Sequence, residues 1–186
     1  MGKIVLVVGS HAVGKTTLFE FAKKKDEFIV FDGIKIPTDG YDLRKREDFL
    51  AYENLYLKSI NENNGLIKRS NRNGLVVRSI EEASYYYHFY EDPSVEEEYK
   101  TIFADEDNIK VDKIVFLDAD RATLQFRYQN DKLRDMEETI TWYKNEYERY
   151  ISYWKNYPGV VTINTVNKTV ATIYDEIKKT LVNHKS

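Results

Sequence analysis

Five short apolar runs, rich in Val, Ile, Leu and Phe, alternate along the chain with longer segments of helical periodicity. Runs of this length are typical of buried strands, and the segments between them are long enough to form right-handed crossovers. The pattern therefore predicts an α/β protein with five parallel strands and helices on both faces of the sheet. We place the strands near residues 3–8, 28–32, 74–78, 113–118 and 160–164.

Helices are predicted wherever apolar residues recur every three or four positions between these strands. Asn61–Gly65 is rich in Asn and ends in Gly, so it predicts a loop that closes the second helix. The face Tyr143, Tyr147, Tyr150 and Trp154 predicts a single long helix. The first predicted helix follows Thr16. The others cover residues 44–60, 94–103, 121–134, 137–155 and about 170–181.

The segment after the first strand, residues 9–17, reads Gly-Ser-His-Ala-Val-Gly-Lys-Thr-Thr. A G-x-x-x-x-G-K-T motif between a strand and a helix predicts a phosphate-binding loop, with backbone amides and the helix dipole facing the β-phosphate. Lys15 then reaches the β- and γ-phosphates, and Thr16 binds Mg²⁺. The motif predicts ATP and Mg²⁺ as cofactors. The predicted nucleotide-binding residues are Gly9, His11, Ala12, Val13, Gly14, Lys15, Thr16 and Thr17.

This loop resembles that of the small P-loop kinases of the nucleoside and nucleotide kinase group, the thymidylate kinase-like proteins. It is also similar to the loop of AAA-domain proteins related to the kinase domain of a bifunctional NAD-biosynthesis regulator. The resemblance implies a three-layer P-loop NTPase fold with strand order 2-3-1-4-5, formed by residues 1–186 as one domain. Ligands are then expected at the carboxyl ends of the strands.

The resemblance also points to two catalytic candidates at strand ends. Arg78, followed by Ser79, matches the strand-end Arg of nucleotide kinases, but Val77 stands where they carry an acidic residue. Asp32 ends the second strand, where deoxynucleoside kinases have an acid that takes the proton of the acceptor hydroxyl. The alternatives are a salt-bridged strand-end Arg and an ordinary turn Asp before Gly33.

Residues 121–136 resemble the lid of small kinases, where arginines close over the transferring phosphoryl group. Arg127 is the first choice among Arg121, Arg127 and Arg134, although it could instead pair with Asp131 on the helix surface. Asp118 follows an apolar strand and by pattern is a Walker-B acid. We favour the alternative that Asp118 or Asp120 caps the next helix.

The run Tyr85–Tyr90 is unusually aromatic. It could line an acceptor pocket, but such runs more often pack in a core. His88 and His184 show no partner by sequence spacing, so we assign no metal to them.

Composition narrows the function classes further. The 186 residues include no Cys, which excludes disulfides and Cys-ligated metals. Their formal net charge of −3 makes nucleic acid an unexpected partner. No apolar run is long enough to predict a membrane span, so we expect a cytoplasmic protein.

We therefore predict an enzyme that transfers the γ-phosphoryl group of ATP to a small acceptor, a nucleoside or nucleotide. One alternative is a regulatory ATPase or GTPase with a protein partner, favoured by the missing acid at Val77, although Asn167–Val170 lacks the Asp of a guanine-reading motif. Another is a polynucleotide 5′-end kinase, supported by the basic stretch Lys68–Arg72 and weakened by the net charge. A homodimer remains an open alternative for the oligomeric state.

Overall fold

A computed structural model describes residues 1–37, 40–42, 45–87, 97, 101, 107–130 and 136–182, with the backbone alone for 84, 86–87, 136–139 and 142. In this part of the chain the strands are β1 (Ile4–Gly9), β2 (Ile29–Phe31), β3 (Gly74–Val76), β4 (Lys113–Asp118) and β5 (Val161–Asn164). The helices are α1 (Lys15–Lys25), α2 (Arg46–Arg69), α3 (Ile80–Tyr87), α4 (Arg121–Gln129), α5 (Met136–Asn145), α6 (Tyr147–Lys155) and α7 (Val170–Val182).

The five strands form one parallel sheet in the order β2-β3-β1-β4-β5. Strand β1 lies in the centre, between β3 and β4, and all six of its residues are buried. Because the chain turns to one side of β1 for β2 and β3 and to the other side for β4 and β5, the carboxyl end of β1 is a topological switch point. The predicted α/β fold class, strand order and five strand positions are confirmed.

Alternate residues of β1 point into two separate cores, one on each face of the sheet. Val5 and Val7 pack with buried residues of α1, α4 and α7, whereas Ile4, Leu6 and Val8 pack with residues of α2, α3 and α6. A strand covered on both faces has to be apolar throughout, which explains why β1 shows no polar alternation. The fold thus has three layers, with the sheet between two layers of helices.

The predicted loop at residues 61–65 is wrong, because α2 continues through it to Arg69. The asparagines there are used in contacts with the segment before β4. The Asn61 amide donates to Asn108 Oδ1 at 2.8 Å, and buried Asn64 donates to the carbonyl of Ile109 at 2.8 Å. These tertiary hydrogen bonds outweigh the weak local preference of Asn for turns.

The prediction of one long helix over 137–155 is also wrong, since the helix is interrupted at Glu146. Tyr143 and Tyr147 pack in the core that contains α1 and α7, whereas Tyr150 and Trp154 pack in the other. The change from one core to the other falls within α6, between Tyr147 and Tyr150, about one turn after the interruption. Of the helix predicted over 94–103, only residues 97 and 101 lie among the described residues, and both are helical.

None of the helices in the described part of the chain combines the length and apolar character that a membrane span requires.

Gly74 offers a test of this packing. A Cβ atom at Gly74 would meet the Cδ1 atom of Ile67, a side chain with no solvent exposure, while β1 and β2 hold the backbone of β3 from both sides. We expect Gly74→Ala to lower the free energy of unfolding by about 1–3 kcal/mol, measured by urea denaturation. Gly33→Ala is the matched control, since a Cβ there has no neighbour within 4 Å. Equal midpoints for the two variants would contradict this account.

Candidate active site

The phosphate loop leaves β1 at the switch point and enters α1 directly. Gly9 has φ of 155°, and a Cβ there would lie 2.7 Å from the carbonyl oxygen of Leu117, so only glycine fits between β1 and β4. Ala12 and Gly14 have φ of 59° and 107°, which turns the backbone back toward the helix. Gly14 caps α1 without any side-chain hydrogen bond. No side chain therefore caps the first amides of α1, which suits an anionic ligand.

Lys15 is the first residue of α1, and its side chain folds back over the loop. Its ammonium donates to the carbonyl of Gly9 and, at 3.0 Å, to that of Ser10. Thr16 and Thr17 follow on the exposed side of the helix. The ammonium thus lies where phosphates approaching the loop would meet it.

Two tyrosines, one on α5 and one on α6, hydrogen-bond to the backbone of the phosphate loop. The Tyr150 hydroxyl on α6 accepts a buried hydrogen bond from the Gly9 amide at 3.1 Å, and the Tyr143 hydroxyl on α5 donates to the His11 carbonyl at 2.8 Å. Sequence reasoning assigned both residues to an apolar helix face only. Their hydroxyls were the available signal, because a buried Tyr usually has a hydrogen-bond partner.

A cavity of about 620 Å³ opens on one side of the loop. It is lined by loop residues 12–17, by Arg127 on α4 and by Thr165 and Lys168 after β5. The Arg127 guanidinium donates to the Val13 carbonyl at 3.2 Å and to the Thr165 hydroxyl and carbonyl at 3.1 Å each. In this conformation Arg127 joins the phosphate loop to the segment after β5. Its predicted role in charge stabilisation stays a prediction.

A second cavity, of about 240 Å³, opens on the other side of Lys15. It brings together Asp32 after β2, Arg78 after β3, and Lys15 and Thr16 of α1. Tyr150 and Glu82 also line it. The structure therefore brings the two strand-end candidates of the sequence to one cavity, and Lys15 and Thr16 line both cavities.

Asp32 is about half exposed, with 48% of its side-chain surface accessible, and forms an ion pair with Lys23 of α1 at 2.7 Å. The hydrogen bond from the Lys23 ammonium lowers the pKa of the Asp32 carboxyl. Asp32 is consequently ionised over the pH range in which most enzymes work.

Arg78 pairs with Glu82, a residue that sequence reasoning did not single out. The Arg78 guanidinium donates to Glu82 Oε1 at 2.6 Å, across the first turn of α3. Glu82 is buried, and this burial raises the pKa of its carboxyl, while the charges of Arg78 and Lys15 act in the opposite direction. The i, i+4 spacing from Arg78 was the available signal, although that spacing is common on solvated helices.

The other candidates lie elsewhere. Asp120 caps α4 by accepting hydrogen bonds from the Thr123 amide at 2.8 Å and hydroxyl at 2.7 Å, so the capping prediction is confirmed for Asp120. Asp118 pairs with Lys155 at 2.8 Å and lines neither cavity. Arg121 is exposed and lies 3.6 Å from Glu148.

The aromatic run is described only in part. Tyr85 is buried and packs edge-on against Tyr150 and Tyr153, with ring centroids 5.0 Å and 4.9 Å apart. Tyr85 therefore belongs to the core. Only the backbone of Tyr86 and Tyr87 is described, and residues 88–90, Asp131, Arg134 and His184 lie outside the described residues.

The residues present fit a nucleotide-bound magnesium ion better than a metal held by protein alone. Among the described residues no group of three or more His, Cys, Asp and Glu side chains could hold a metal. Mg²⁺ commonly binds through a few protein oxygens together with substrate phosphates and water. The exposed hydroxyl of Thr16, at the start of α1, suits that arrangement.

Solved structures share this fold across nearly the whole chain. A deoxyadenosine kinase from M. mycoides with bound dATP matches at 16% identity and a TM-score of 0.63, over 97% of this chain and 100% of that one. The same kinase with dCMP and dCDP bound matches at 16% identity and 0.59, over 98% and 100%. The YorR protein of Bacillus subtilis, in complex with phosphorylated GDP, matches at 15% identity and 0.54, over 97% and 96%.

No family model matches the chain, and no curated protein matches it. At these identities the likeness concerns the fold. The chain thus has the fold of the small P-loop kinases, as its phosphate loop predicted.

The loop contact of Tyr150 can be tested by removing one oxygen atom. Tyr150→Phe leaves the buried Gly9 amide without its partner, so we expect the free energy of unfolding to fall by about 1–3 kcal/mol in urea denaturation. Tyr174→Phe is the matched control, because the buried Tyr174 hydroxyl has no hydrogen-bond partner among the described residues. If both variants lose the same stability, the Gly9 contact contributes nothing specific.

Proposed function

We propose that the protein transfers the γ-phosphoryl group of ATP, bound with Mg²⁺, to a nucleoside or nucleotide. The observation that carries the proposal is the pair of cavities that meet at Lys15 and Thr16. A phosphoryl transferase has to hold a donor and an acceptor on opposite sides of the moving group, and two cavities sharing the phosphate-loop residues provide that arrangement.

The larger cavity is the donor side. The amides of residues 12–16 bind the phosphates and Lys15 reaches the β- and γ-phosphates, while Thr16 would hold Mg²⁺, whose charge would offset that of the phosphates. Arg127, hydrogen-bonded to Thr165, lines the part of this cavity beside the loop, where the nucleoside of ATP binds. There Arg127 contacts the donor, and its guanidinium adds positive charge near the transferring group.

The smaller cavity is the acceptor side. Asp32, held ionised by Lys23, accepts a hydrogen bond from the acceptor hydroxyl and orients it, and Arg78 binds a phosphate or hydroxyl oxygen of the acceptor. The volume of about 240 Å³ supports a small acceptor over a polynucleotide end. The neighbours that share the fold include a deoxyadenosine kinase bound to dATP, which supports a nucleoside or nucleotide acceptor. A cytoplasmic location and a homodimer stay predictions.

The test is a panel of nucleosides and nucleotides incubated with MgATP, with ADP release and the phosphorylated product measured for each. We expect turnover with at least one acceptor and its loss in Lys15→Ala, which removes the charge that binds the phosphates. Lys24→Ala, an exposed residue of the same helix, is the control and keeps wild-type turnover. ATP hydrolysis without any phosphorylated acceptor would support the regulatory ATPase instead.

Asp32 allows a separate test of the acceptor side. Asp32→Asn keeps the size of the side chain but removes the charge that orients the acceptor hydroxyl, so phosphorylation should fall at least about tenfold in kcat/KM for the acceptor. The MgATP affinity, measured by calorimetric titration, should stay near the wild-type value. Asp26→Asn is the control, since Asp26 also forms an ion pair and Asn tolerates its positive φ. An unchanged kcat/KM would remove Asp32 from the acceptor site.

A further inference from the structure

A buried carboxylate lies beside the phosphate-loop lysine, where the proposed chemistry has a proton to dispose of. We propose that Glu82, supplied by helix α3 rather than by a strand end, is the general base that takes the proton of the acceptor hydroxyl. This assignment rests on the proposed phosphoryl transfer and names a catalytic residue for it.

The position of Glu82 is fixed by the backbone around it. Helix α3 begins at Ile80, immediately after the turn that follows β3, so its first turn lies at the carboxyl edge of the sheet. Buried Ser79 holds this turn: its hydroxyl accepts from the Glu82 amide at 3.2 Å, and its carbonyl accepts from the Ala83 amide at 3.0 Å. The Glu82 side chain therefore points into the smaller cavity from a rigid helix start.

The two carboxylates that line this cavity lie in opposite environments. Asp32 is half exposed and its pKa is lowered by the Lys23 ammonium, so it is a weak base. Glu82 has 8% of its side-chain surface accessible and burial raises its pKa, while the charge and the hydrogen bond of Arg78 act in the opposite direction. When their environments shift the pKa values of two titratable groups in opposite directions, the two groups are suited to different roles. The group with the higher pKa is the better proton acceptor.

The step balances without a further reactant. The acceptor oxygen forms a bond to the γ-phosphorus, the bond from that phosphorus to the β–γ bridging oxygen breaks, and ADP leaves. The proton of the acceptor hydroxyl moves to Glu82. Protonation of Glu82 cancels the charge that balanced Arg78, whose guanidinium then faces the newly attached phosphate.

The ionisable neighbours of Glu82 come from several elements packed around the cavity. They are Arg78 after β3, Lys15 of α1, Asp32 after β2, His11 of the loop and Tyr150 of α6. Arg78 and Lys15 are positively charged near neutral pH and lower the pKa of Glu82 against the effect of burial. Because histidine side chains in general change charge near neutral pH, the experiment has to separate the effect of Glu82 from that of His11.

The experiment compares Glu82→Gln with Glu81→Gln over a range of pH, using an acceptor found in the panel. Glu81 lies on the same helix, outside the cavity lining, and its Oε1 accepts from the Val111 amide, which Gln can still do. We expect Glu82→Gln to lower kcat by about 10² to 10⁴ without weakening MgATP binding, and Glu81→Gln to match the wild type.

The pH profile separates a base from a residue that only holds Arg78. Wild-type kcat should decline on the acid side as Glu82 becomes protonated, and Glu82→Gln should lose that decline, whereas a titrating His11 would leave it in place. Glu82→Asp keeps a carboxylate, so it should recover at least about tenfold of the lost kcat and retain the acid decline. Thermal unfolding of each variant checks that the fold is intact.

The outcomes also separate this assignment from the proposed function. If the wild type phosphorylates an acceptor and Glu82→Gln equals Glu81→Gln, or keeps the acid decline and changes only KM, the assignment is overturned and the proposed function stands. If the wild type phosphorylates no acceptor, the proposed function fails and the assignment of Glu82 falls with it.

Discussion

Gly9 lies so close to the carbonyl oxygen of Leu117 that β1 and β4 leave no room for a side chain at the point where the chain leaves the sheet. This contact fixes the direction in which the backbone turns, and the turn fixes where Lys15 and the first amides of α1 lie. The Tyr150 hydroxyl then satisfies the Gly9 amide, which would otherwise be a buried donor without a partner. The wall that both cavities share, Lys15 and Thr16, lies immediately after this turn.

Much of the fold could be predicted because its signals are local. The six buried residues of β1 form an uninterrupted apolar run, and the loop after it has its glycines and lysine at fixed spacing. The Asn-rich part of α2 and the interruption at Glu146 could not be predicted this way. The first depends on distant partners, namely the 108–109 segment that Asn61 and Asn64 contact, and no local sequence signal marks the second.

The site residues likewise include some with a local sequence signal and some without one. The positions of Asp32 and Arg78 at strand ends were readable, because parallel strands bring their carboxyl ends to one edge of the sheet. Glu82 was not, because an acid four residues after an arginine is ordinary on an exposed helix, and its burial becomes visible only with the cavity walls in place. Sequence also gave no indication that Lys23 pairs with Asp32, so the contrast between the two carboxylates appears only in the folded chain.

The sharing of Lys15 and Thr16 by both cavities has a consequence for redesigning the protein. Thr165 and Lys168 line only the larger cavity, whereas Val77 and Asp32 line only the smaller one. Away from the phosphate loop the two cavities are therefore lined by different residues, so a side chain that lines one cavity can be substituted without changing the lining of the other. A ligand that places one group in each cavity would need a linker that runs past Lys15, where an anionic linker suits the ammonium. The length of that linker would decide whether both groups bind at once.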